Sequence, residues 1–247
     1  PNQKSMATLA GGVKFNKTDE LQAEVAFSKN ELNLYSELDA DDDNGLAYKL
    51  IHRTKGRTVG FLPKYKLNSE LSYEYNSESF SFIDRLRYIE FDRDWSYNPA
   101  DFTSNFTENI LTAGFDLQRN SINSLSYKLV RRKRGDAVDG FQHYLNLSKE
   151  LGRFFLKSDV YLMNNDQLIL DSEWNRFKLD FSYRSKWLIP GYRFSQDRNA
   201  VVNKSANEVV SSAMNFQEHT FYIKNADTLK TTYGIDFQTR EDRLPVN

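Results

Sequence analysis

The chain has 247 residues, with 33 basic and 34 acidic side chains and no cysteine. That length suits one large β domain; the balanced charge gives no global pull toward nucleic acid, and the missing thiols exclude disulfides, thiolate catalysis and cysteine-held zinc. Aromatic residues make up 14% of the chain, mean hydropathy is −0.67, and no stretch approaches the roughly 18 consecutive apolar residues of a transmembrane helix. A start at Pro1 rather than Met is what a processed product or an excised piece would have.

Apolar and polar residues alternate in segment after segment, which is the period of a strand with one greasy and one wet face. Taken along the chain, the alternation predicts strands at 7–15, 21–28, 46–53, 65–75 and 80–91. A long polar loop at 98–109 follows, and then strands at 110–118, 124–132, 141–148 and 154–163. The longest run spans 176–187 and would put Leu179, Phe181, Tyr183 and Trp187 on one face, Lys178, Asp180, Ser182 and Arg184 on the other. Strands at 192–196, 216–224 and 231–239 complete the series, with one short helix expected within 204–214. Turn signals separate them, notably Asn44-Gly45, Asn76-Ser77, Arg119-Asn120, Asn164-Asn165-Asp166 and Pro190-Gly191. Neighbours joined by short turns run antiparallel. The expectation is therefore all-β: an antiparallel up-and-down meander in one domain, residues 1–247, with a possible seam at 98–109.

A one-faced meander must cover its apolar face. It can turn that face outward into lipid, as all or part of an outer-membrane-type β-barrel, or inward as a soluble β-barrel or sandwich. The long strands, the aromatic residues near strand ends and the mixed charges of the polar face point to the membrane form. The expected function is non-enzymatic: an outer-membrane or cell-surface protein acting as a pore, scaffold or assembly element. The alternative is a soluble binding domain that holds glycan or lipid on an aromatic face. Glycoside hydrolysis is the enzymatic alternative.

The segment 28–45 (SKNELNLYSELDADDDNG) and Glu90–Trp95 (EFDRDW), followed by tyrosine-rich hairpins, resemble parts of large β-rich outer-membrane and cell-envelope proteins of Bacteroidota. The resemblance implies an outer-membrane location and a non-enzymatic role, and brings no catalytic residues with it. Expected partners are outer-membrane lipid or lipopolysaccharide, with other envelope proteins or glycan, and no nucleic acid.

Four groups of residues stand out as candidate sites. Asp39, Asp41 and Asp43 crowd carboxylates into one hairpin tip and could hold a weakly bound calcium ion, the one cofactor considered. The spacing departs from an EF-hand, since Asn44 stands where its glycine should be and Leu50 where its bidentate Glu should be; a solvated acidic tip explains it too. Arg131, Arg132, Lys133 and Arg134 could grip an anionic partner such as lipopolysaccharide phosphate, or serve as a charged strand end. Trp95, Trp174 and Trp187 could be interface anchors, sugar platforms or core. Asp92 and Asp94, with Arg93 on the opposite face, have the residue types of a glycosidase pair, but nothing visible would separate their pKa values. His52, His143 and His219 lack any metal-ligand spacing, and no phosphate loop, GxSxG elbow or dinucleotide fingerprint occurs.

Overall fold

The computed structural model describes residues 3–31, 44–83, 87–101, 105–211, 215–226 and 231–242. It is an antiparallel meander of thirteen strands in a single sheet. The first four strands are β1 (Gln3–Lys14), β2 (Asp19–Glu31), β3 (Asn44–Val59) and β4 (Leu62–Asn76). Next come β5 (Glu108–Asn120), β6 (Asn123–Arg134), β7 (Val138–Leu151) and β8 (Phe154–Asp166). The last five are β9 (Leu170–Tyr183), β10 (Leu188–Asn203), β11 (Glu208–Ser211), β12 (Asn215–Asn225) and β13 (Gly234–Asp242). Each pairs with its neighbour in sequence, except that β11 and β12 follow one another along β10. Among the described residues the sheet is not closed: β1 pairs only with β2, and β13 only with β12.

The alternation decides which face each side chain takes, and the register carries each face across the whole sheet. Val25 lies opposite Tyr48 and Tyr48 opposite Tyr75. Phe115 lies opposite Tyr127, Tyr127 opposite Leu145, Leu145 opposite Val160, and Val160 opposite Phe177. Phe181, Tyr192, Phe221 and Phe237 form a second such row on the same face, out to the far edge. A shift of one residue in any strand would break this continuity, which is why the register is firmly specified.

Four expectations are corrected. The described residues of the stretch 80–91, which are 80–83 and 87–91, form no strand, because the edge of β4 is taken by β5, with Asn76 opposite Glu108; the described part of the intervening segment instead lies over the sheet and contains two single-turn 3₁₀ helices, Arg93–Trp95 and Pro99–Asp101. Its aromatic residues serve a cluster on the polar face rather than a strand ladder. In place of the helix expected within 204–214, the described residues 204–211 form a turn and β11, which pairs with β10 through Glu208, Val209 and Ser211. Trp187 lies outside β9, in a turn tied by hydrogen bonds between Ser185 Oγ and Leu188, so strand alternation does not place it on the face of Phe181. Asn44-Gly45 and Pro190-Gly191 are not turns; they sit inside β3 and β10, where each glycine makes room for another residue.

The two ends of the sheet differ. At one end, 32–43 and 77–107 separate consecutive strands by long stretches of sequence, beside short connections at 135–137 and 167–169 and the stretch 204–214 that carries β11. At the other, residues 15–18, 60–61, 121–122, 152–153 and 184–187 make tight reversals, and only 226–233 is longer.

Candidate functional site

Burial is inverted between the two faces. The apolar face carries large exposed side chains: Leu9, Phe27, Leu50, Leu71, Phe181, Phe221 at 56% and Phe237 at 65%. The opposite face buries polar ones, among them Asn165, Gln142, Ser172 and Glu108, with the Arg132 side chain wholly inaccessible. In a water-soluble sheet the faces would be used the other way round. The apolar face also satisfies its own polar atoms: Tyr127 Oη and His143 Nδ1 lie 2.8 Å apart, as do Tyr192 Oη and His219 Nδ1.

The described residues of the segment 77–107 fill part of the polar face. Residues at the sheet's surface hold its backbone: Ser28 Oγ accepts from Ser81 N at 3.0 Å, and Gln142 Nε2 donates to Asp94 O at 2.9 Å. Asn165 Nδ2 donates to Trp95 O at 2.6 Å, and Gln167 Nε2 to Ser96 O at 2.9 Å. Glycines let the segment approach. A Cβ on Gly45 would lie 2.2 Å from Phe80 Cα, one on Gly140 would lie 3.1 Å from the Trp95 ring, and one on Gly135 would lie 2.3 Å from Phe106. Gly135 also has φ of +50°, a conformation disfavoured for other residues. Trp95, Tyr97, Ala137 and Val138 then make a small dry cluster, flanked by Phe91, Phe106 and Val130. Burial raises the Tyr97 phenol pKa, with the charge of nearby Arg134 acting in the opposite sense.

Next to this cluster lies an ion network. Arg132 Nε donates to Glu108 Oε1 at 2.8 Å, and its Nη2 donates to Asp92 Oδ1 at 2.7 Å. Arg87 Nη2 bridges Glu74 at 2.6 Å and Glu108 at 2.8 Å. The Arg132 guanidinium also sits 4.5 Å from the Phe91 ring centre and 5.6 Å from that of Tyr97. Removing one partner of such a buried pair typically costs about 3–5 kcal/mol, because the other charge is left without solvent or counter-charge. The network therefore ties the segment to β4, β5 and β6.

The candidate residues named from sequence fall in separate places. The basic run is divided by strand alternation: Arg131 and Lys133 pair with Asp139 on the apolar side, with Arg131 over Phe141 at 4.5 Å. Arg132 and Arg134 are on the polar side, against Glu108. Trp95 is fully buried, whereas Trp174 sits on the polar face and donates from Nε1 to Asp197 Oδ1 at 2.7 Å. Trp187 is exposed at the tight-turn end. Asp92 is bound to Arg132, and Asp94 accepts from the Tyr88 hydroxyl at 2.7 Å. Asp39, Asp41 and Asp43 lie outside the described residues, among which no group of three or more His, Asp or Glu could hold a metal ion. Glu108, Gln142, Asn165 and Gly140 escaped the sequence reading, since a polar residue on the wet face gives no sign of which neighbour will cover it.

No family model, curated protein or solved structure matches the chain.

Proposed function

We propose that the chain is a wall of an outer-membrane-type β-barrel, with its apolar face toward lipid and its polar face toward an aqueous interior partly filled by residues 77–107. The observation that carries this reading is the inverted burial, large apolar side chains exposed and polar ones covered. Outer-membrane barrels alternate in this sense, apolar outward and polar inward. Strands of 12 to 16 residues, such as β1 and β3, exceed the roughly 9–11 residues needed to cross the hydrocarbon at a tilt. The asymmetry of the connections fits too, since such barrels have short periplasmic turns and longer outer loops. In this reading the end bearing 32–43 and 77–107 faces the outside of the cell. The resemblance to envelope proteins of Bacteroidota agrees with this location. In this reading the protein is non-enzymatic, a pore or scaffold whose partners are membrane lipids on one face and solutes on the other.

Folding in detergent tests it. The folded protein should migrate differently on a gel before and after boiling, and should precipitate without detergent. A monodisperse detergent-free monomer that melts cooperatively would refute the reading.

A further inference from the structure

We infer that the cavity between the 77–107 segment and the ends of β2, β4, β5 and β6 is a binding site for a neutral oligosaccharide. The cavity has a volume of about 540 Å³, within the range of small-molecule sites. Its wall combines amide, hydroxyl, charged and aromatic groups. Amide side chains, Asn30 and Asn105 among them, offer donors and acceptors together, while the rings of Phe80 and Phe82 meet edge to face at 4.9 Å between centroids. Flat apolar C–H faces of a sugar ring fit against aromatic rings, and the hydroxyls at its rim fit the amides.

The charge of the wall narrows the choice of ligand. The Arg134 guanidinium is offset by Glu108, whose carboxylate lies 3.7 Å from it, and Glu78 adds a second carboxylate to the wall, so the cavity has little net pull on an anion. A neutral polyhydroxylated ligand suits such a wall, because each hydroxyl both donates and accepts. The strand residues of the wall all stand at the long-connection end of the sheet, where a solute arriving from outside would meet them first.

None of the three tryptophans contributes to this wall, so it is distinct from a tryptophan platform. The inference uses only the polar face and does not rest on the apolar face meeting lipid. Failure of the gel and solubility test would leave it standing, and its own failure would leave the barrel reading standing.

Isothermal titration of the full chain in detergent, with maltotriose, cellobiose and chitobiose in turn and inorganic phosphate as the anionic control, tests it. At least one sugar should bind at millimolar or lower concentration and phosphate should not. The F80A/F82A double variant and Asn105→Ala should each weaken binding roughly tenfold, the scale of losing one well-packed contact. Circular dichroism and heat-modifiable migration should be unchanged in both. If no sugar gives heat, if phosphate binds in preference, or if affinity survives the double variant, the cavity holds only water and the inference is wrong.

Discussion

Leu145 and Asn146 are adjacent on β7 and belong to opposite faces, so the same substitution at each measures what the two faces meet. Leu145 lies mid-strand opposite Tyr127 and Val160 and is 38% exposed. Asn146 lies opposite Ser126 and Asp159, and its amide donates to Ser126 Oγ at 3.2 Å. If the apolar face meets water, Leu145→Arg forfeits part of a side-chain burial worth about 1.5–3 kcal/mol when complete, and the aliphatic stem of the arginine recovers some of it. The net cost should then stay below about 1 kcal/mol. If the face meets lipid, the guanidinium has to be placed in hydrocarbon, and the cost should rise to about 2–4 kcal/mol. Asn146→Arg loses one hydrogen bond worth about 0.5–1.5 kcal/mol and gains a neighbouring carboxylate in Asp159, so it should be close to neutral in either case. Urea unfolding of the three proteins in lipid vesicles, followed by tryptophan fluorescence, gives the comparison. A Leu145→Arg cost no greater than that of Asn146→Arg would refute the assignment of the apolar face to lipid.

Three further outcomes are expected. Arg132→Leu should destabilise by about 3–5 kcal/mol, since it leaves Glu108 buried with Arg87 as its closest remaining cation; adding Glu108→Gln should recover part of that loss in a double-mutant cycle, and strict additivity would argue against the network. Gly45→Ala would drive a Cβ into the Phe80 backbone and should expose residues 77–107 to limited proteolysis, whereas Gly11→Ala, with open space around it, should leave the cleavage pattern unchanged. In a bilayer, unpaired backbone groups cannot remain exposed to hydrocarbon, so the outward-facing amides of β1 and β13, which form the edges of the open sheet, should be protected from hydrogen exchange in vesicles; rapid exchange at both edges would count against a closed barrel.

What the sequence determined by itself was everything carried by the two-residue period. It determined the strands, their antiparallel order and the identity of the two faces, because side-chain direction in a strand depends only on position within the same short segment. The Leu179, Phe181 and Tyr183 face was legible in this way, and so was the polar face of Lys178, Asp180 and Ser182. Alternation could not reveal competition between distant segments. Residues 80–91 have the pattern of a strand, yet β5 occupies the place they would need beside β4. Asn44-Gly45 and Pro190-Gly191 have the composition of turns, yet their glycines are required by Phe80 and Tyr222, residues far away in the chain. The site depended on the same long-range information. Arg132 looked like one of four equivalent cations until β5 and the crossing segment placed Glu108 and Asp92 against it. Which face would be covered was likewise a tertiary matter, because an alternating strand states that its faces differ and leaves open which of them another part of the protein will bury.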